Sequence, residues 1–170
     1  MLQNDRIRLR AAEPEDLDLM YLVENDTSLW VHGSTTVPYS RHSLRQFIAS
    51  TQNDIAADGQ LRLIIESSEG EPLGFIDLQN YELRHGRAEV GIVLLPGWQG
   101  KGYATEALQL LCEYAAGHLH LHQLTAVVAE RNKPALHLFQ RAGFSCLTSL
   151  PQWLCNGEKY EDATLWHKLF

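Results

Sequence analysis

The chain has 170 residues, 45% of them hydrophobic and 21% charged, and a formal net charge of -7. That length and composition fit one globular domain with a self-sufficient core and exclude disordered or fibrous chains. The acidic balance offers no basic face for phosphate backbones, which argues against a nucleic-acid partner and favours a cationic one.

The start MLQNDRIRLR carries charges where a secretory leader needs a continuous apolar stretch. No run approaches the roughly 20 apolar residues of a membrane span, so a cytoplasmic protein without a membrane partner is expected. From Asp5 to Ala12, Ile7 and Leu9 alternate with Arg6, Arg8 and Arg10, the period of a half-buried strand. Pro14, Glu15 and Asp16 open a helix whose apolar stripe, Leu17, Leu19, Met20, Leu22 and Val23, runs to about Glu24. Asn25 to Tyr39 mixes Ser, Thr, Gly and Pro with Trp30, His32 and Tyr39, which marks a substrate-side loop. Ser40 or Ser43 can cap a second helix through Leu44, Phe47 and Ile48 towards Ala57, ended by Asp58-Gly59.

Leu61–Glu66 and Pro72–Asn80 form a hairpin pattern around Gly70, and Arg87–Leu95 is apolar enough after Glu89 for a central strand. Gly97–Gly102 interrupts the pattern before the chain's best helix, Tyr103–Ala116. Leu121–Ala129 reads as a buried strand, Asn132–Ala142 as a helix closed by Gly143, and Phe144–Leu150 as a strand. A last strand, Lys159–Leu169, follows the Asn156-Gly157 turn. The order predicts an α/β chain with a mixed central sheet and helices on both faces, one domain over residues 1–170 without linker or repeat.

Cys112, Cys146 and Cys155 are odd in number and lack C-x-x-C spacing, and two sit in apolar surroundings. They read as reduced packing residues. His118, His120 and His122 share a face at strand spacing but have no acidic or Cys partner, so no metal is expected.

The sharpest signal is Gln99-Gly100-Lys101-Gly102-Tyr103-Ala104, between a buried strand and a strong helix. Glycines let backbone approach a bulky anion, and the free N–H groups of a helix start supply donors and partial positive charge, as a pyrophosphate requires. The spacing matches neither G-x-x-x-x-G-K-[ST] nor G-x-G-x-x-G, which excludes the two commonest nucleotide loops.

Gln99-x-x-Gly102-x-Ala104 resembles the Q/R-x-x-G-x-G/A signature of the GNAT superfamily of N-acetyltransferases, and LTAVVAERNKPALHLFQRAGF, Leu124 to Phe144, resembles its second motif. The likeness spans essentially the whole chain and is nearest to the ribosomal-protein and spermidine acetyltransferase branches. It implies a GNAT-type acyl-CoA N-acyltransferase fold and direct attack of an amine on acetyl-coenzyme A as cosubstrate. The backbone of Ile92, Val93 and Leu94 would then pair with the pantetheine arm. Gln99, Gly100, Lys101, Gly102, Tyr103, Ala104 and Thr105 would surround the pyrophosphate, with Asn132, Ala135 and Phe139 opposite and Arg141 or Lys133 near the outer phosphate. An N–H freed at a kink after Val93 would stabilise the thioester oxygen.

Glu89, in Ala88-Glu89-Val90-Gly91, matches the acidic position of related branches and is the expected general base, directly or through water; the alternative is an ion pair with Arg87 or an edge-strand Arg. Many relatives carry a Tyr acid where this chain has Phe139, so the thiolate would be protonated by Tyr160, Tyr103, Ser145 or water. Glu24, Trp30, His32 and Tyr39 are expected to bind the amine, with Tyr81, Trp153, Asp26 and Glu82 as further candidates. Ser34-Thr35-Thr36-Val37 stands where polyamine acetyltransferases tend to place acids, which ranks a peptide N-terminus above a polyamine as acceptor. The rival reading is a catalytically idle acyl-CoA sensor or scaffold, and a homodimer is compatible with either.

Overall fold

A computed structural model describes residues 2–30, 35, 37–52, 54–157 and 159–170. In chain order the strands are β1 (Ile7–Ala11), β2 (Leu61–Ser67), β3 (Pro72–Glu82), β4 (Arg87–Leu94), β5 (Gln123–Ala129), β6 (Ser145–Cys155) and β7 (Tyr160–Leu169). The helices are α1 (Leu17–Glu24), α2 (Thr27–Trp30), α3 (Arg41–Ser50), α4 (Ile55–Asp58), α5 (Tyr103–Gly117) and α6 (Lys133–Arg141). The strands form one seven-stranded sheet in the order β1-β2-β3-β4-β5-β7-β6. Among the described residues only the β4–β5 pair is parallel.

Both faces of the sheet's middle are covered, which is why β2 and β3 read as apolar runs rather than clean alternations. On one face Leu63, Ile65, Ile76, Leu78 and Val90 share a buried cluster with Leu108 and Leu111 of α5. On the other, Ile64 and Phe75 pack against Leu19 and Val23 of α1. Leu17, Met20 and Leu44 then join α1 to α3.

The feature that makes a site is a split in this sheet. β4 and β5 pair only where Arg87–Glu89 face Gln123–Thr125. Beyond that point β4 stays with β3 to Leu94, while β5 stays with β7 to Ala129. A gap opens between two central strands, and the backbone edge of β4 is left facing it.

Several expected elements are corrected. The second helix breaks after Ser50, where Thr51 turns extended, and restarts at Ile55 with the Asp54 carboxylate accepting from the Ala56 N–H. β6 runs on to Cys155, with a register irregularity between Leu150 and Leu154. His118 caps α5 and His120 has φ 53°, so the three histidines do not lie along a strand. Of the three free cysteines Cys112 alone is buried, and Cys146 and Cys155 are exposed. Among the described residues no helix is long and apolar enough to cross a membrane.

Candidate active site

At the end of β4 the chain passes through the short 3-10 turn Pro96–Trp98 and enters α5 at Gly102. Gly100 and Gly102 have φ of 73° and 90°, left-handed values that cost a side-chain residue strain. Gly102 caps α5 without any side-chain hydrogen bond, and its carbonyl accepts from the Thr105 and Glu106 amides at 3.0 and 3.2 Å. The Tyr103 and Ala104 amides precede that first turn, so the positive end of a 15-residue helix is presented with open donors. The Gln99 side chain is a strut, its Nε2 donating to the Leu94 carbonyl at 2.9 Å.

That bond also orients β4. The Leu95 N–H turns to Leu73 of β3, whereas the Leu94 carbonyl turns the other way, to Gln99. Strand alternation then turns the backbone groups of Ile92 into the gap with those of Leu94, the edge an added strand-like arm would use. The kink expected after Val93 is absent: β3 and β4 keep regular register from Asp77↔Gly91 to Gly74↔Leu94. The open backbone comes instead from the departure of β5.

The gap and the turn share one cavity of about 890 Å³. Ile92, Val93, Leu94, Gln99, Gly100, Gly102, Ala104 and Thr105 line one side, and Asn132, Pro134, Ala135, His137, Leu138 and Arg141 of the α6 region line the other. Asn132 caps α6, its Oδ1 accepting from the Ala135 N–H at 3.2 Å. The far end is formed by Glu24, Leu29, Trp30, Thr35, Tyr39, Phe47, Arg62, Phe75, Asp77 and Gln79.

At that far end Arg62 is clamped between two carboxylates. Its Nε and Nη2 donate to Asp77 Oδ1 and Oδ2 at 2.9 and 2.7 Å, and Nη1 donates to Glu24 Oε1. The guanidinium also lies 4.0 Å from the Phe75 ring centroid. Burial works against the charged guanidinium, but Asp77 and then Glu24 outweigh it and raise the Arg62 pKa above its ordinary value. Glu24 Oε2 accepts a longer bond, 3.3 Å, from the Thr35 hydroxyl, and the Glu24 carbonyl accepts from Trp30 Nε1 at 2.8 Å.

Other expected residues stand elsewhere. Glu89 lies two residues before Gly91 on the same face of β4, outside the cavity wall, and Asn80 Nδ2 donates to its Oε2 at 3.1 Å. Arg87, offered as its ion-pair partner, binds Glu82 instead at 2.7 Å. Tyr160 is 66% exposed beside Cys155 at the β6–β7 hairpin. It precedes by three residues the first β7 residue paired with β5, Ala163, and is outside the cavity wall. Phe139 is a core residue, edge-on to Phe144 at 5.1 Å. Lys101 lies over Trp98, and the Tyr103 ring lies under Arg6, so neither side chain lines the cavity. His32 lies outside the described residues. Trp153 is 58% exposed on β6, and Asp26 accepts from Ser28.

Sequence reasoning missed Arg62, Asp77, Phe75, Gln79 and His137. The signal for two of them was present: Arg62 and Asp77 are charges set inside the apolar runs Leu61–Ile65 and Phe75–Leu78, and β2–β3 register puts them directly opposite.

Comparison with known proteins agrees with this geometry. Residues 6–145 match the family model described as acetyltransferase (GNAT) domain. The Escherichia coli K12 spermidine N(1)-acetyltransferase is 30% identical over 158 residues, covering 92% of this chain and 82% of that protein. A crystal structure of the Vibrio cholerae spermidine N-acetyltransferase in complex with CoA and spermine superposes with a TM-score of 0.85 at 26% identity, covering 98% of this chain and 96% of that one. A dodecameric structure of the V. cholerae enzyme superposes with a TM-score of 0.82 at 27% identity, covering 98% and 95%.

Proposed function

Because the chain belongs to the GNAT acetyltransferase family and is an acetyl-coenzyme A-dependent N-acetyltransferase, we propose that its acceptor is a small aliphatic amine with a second positive charge, of the polyamine class. The observation that carries this is the Glu24–Arg62–Asp77 cluster. Two carboxylates against one guanidinium leave one net negative charge at the acceptor end, and with the Arg62 and Glu24 side chains only 16% and 14% exposed it is weakly screened. Trp30, Tyr39 and Phe75 add aromatic walls suited to methylenes and ammonium groups.

Acetyl-coenzyme A supplies the activated acyl group. The amides at the start of α5 hold its diphosphate, and the gap edge of β4 at Ile92 and Leu94 holds its arm, which points the thioester towards the acceptor end. An alkyl ammonium has a reference pKa near 10.4, so only about one molecule in a thousand is nucleophilic at neutral pH. Glu89 takes the proton through water. At roughly 3.3 Å per residue its backbone stands about 7 Å along β4 from Gly91, a distance that one or two waters can span. With Tyr160 and Phe139 away from the cavity, the leaving thiolate takes its proton from water as well. Leu147 and Trp153 are exposed on the edge strand β6, where a second copy of the chain would cover them, so a homodimer belongs to the same proposal.

Thiol release from acetyl-coenzyme A, followed across polyamines, monoamines and peptides with free N-termini, tests the acceptor. Polyamines are expected to give the highest kcat/KM. Faster turnover of peptides than of polyamines would overturn the polyamine reading.

A further inference from the structure

We infer that Arg6 and Glu106 form a charge-compensating brace behind the Gln99–Ala104 turn, and that this brace sets the turn's affinity for a diphosphate. The inference rests on the reading of that turn as the coenzyme A diphosphate site.

Glu106 belongs to the first turn of α5, two residues beyond Ala104. A carboxylate there suits the helix dipole but repels an anion bound at the same helix start. Both of its oxygens are engaged from the chain's N-terminal segment: Arg6 Nη1 binds Oε1, and Asn4 Nδ2 donates to Oε2 at 3.0 Å. Asn4 is itself fixed, because its Oδ1 accepts from the Arg6 and Ile7 amides, both at 2.9 Å.

Arg6 does more than neutralise. Its Nη2 donates to the Lys101 carbonyl at 3.2 Å, inside the turn. Its guanidinium lies 4.4 Å from the Tyr103 ring centroid, and that ring meets Trp98 edge-on at 5.8 Å. A Cβ added at Gly102 would come within 3.7 Å of Arg6 Nη1. The cation behind the turn is therefore Arg6, while Lys101, the basic residue within the motif, rests 4.7 Å from the Trp98 ring centroid.

Calorimetric titration of acetyl-coenzyme A into wild type, Arg6→Ala, Glu106→Gln and the double variant separates this role from a merely structural one. Arg6→Ala is expected to weaken binding roughly five- to tenfold at low salt, with the loss shrinking as salt is added. Adding Glu106→Gln to Arg6→Ala is expected to restore affinity to within about twofold of wild type, since the uncompensated carboxylate is gone. Glu106→Gln alone keeps Arg6 and is expected to tighten binding about threefold, a readout that survives if Arg6→Ala fails to fold. Unchanged affinity in Arg6→Ala, or a loss that the double variant does not recover, overturns the inference and leaves the diphosphate site standing. No uptake by wild type overturns both.

Discussion

Gly74 of β3 meets Val93 of β4 so closely that a Cβ built on the glycine would lie 2.1 Å from the Val93 carbonyl oxygen and 2.8 Å from Leu94 Cα. Its φ of 156° is a backbone state that side-chain residues seldom adopt. The stretch of β4 that borders the gap is thus seated by the absence of a side chain on its neighbour. Gly74→Ala is expected to cost about 2–4 kcal/mol in urea unfolding and to weaken acetyl-coenzyme A binding, because β4 must shift. Wild-type stability with wild-type affinity would show that this close approach positions nothing.

The charge cluster predicts a split between two variants. Arg62→Ala strands two carboxylates, of which Asp77 is buried, and is expected to lower stability by roughly 3–5 kcal/mol. Glu24→Gln removes the charge proposed to face the acceptor's second cation, and should raise KM for a polyamine about tenfold while leaving KM for acetyl-coenzyme A unchanged. Steady-state kinetics with each substrate varied in turn make the comparison. A polyamine KM untouched by Glu24→Gln would move the acceptor's cation elsewhere.

For Glu89 the informative variable is pH. Glu89→Gln is expected to lower kcat on the order of 10²-fold at neutral pH and by less as pH approaches the amine's own pKa, where the nucleophile forms without help. A pH–rate profile parallel to wild type would remove Glu89 from proton transfer and leave its bond to Asn80 as its role.

Acid sensitivity should centre on the ion pairs around β1. Burial pushes the Asp16 carboxyl up, but paired hydrogen bonds from Arg10 and one from the Glu13 amide prevail and hold it below its ordinary value. The Glu66 carboxyl is likewise held low, first by Arg8 and, against the opposing effect of burial, by Arg10. Depressed folded-state values mean that this stabilisation is present above the unfolded carboxylate range and is lost as pH falls through the folded values. Urea unfolding should therefore give a free energy that declines below about pH 4.5, and Asp16→Asn should flatten that decline while lowering stability at pH 7. An unchanged acid slope in Asp16→Asn would place the sensitive groups elsewhere.

The turn proposed to hold the diphosphate was legible in the chain itself because its chemistry is local. Gly100 and Gly102 supply left-handed turns, α5 follows at once, and open amides at a helix start need no distant partner. The half proposed to receive the acceptor depended on the tertiary structure. Arg62 meets Asp77 across 15 residues and Glu24 across 38, and Arg6 meets Glu106 across 100, pairings that only strand register and helix docking can set. The same limit explains Tyr160: its residue type suits an acid, but β7 carries it past the end of β5 into solvent. Sequence determined which backbone could bind an anion, since that property is carried by a few neighbouring residues. Where β4 parts from β5, and which side chains close around the resulting gap, was decided only when the whole sheet formed, because each depends on contacts between segments far apart in the chain.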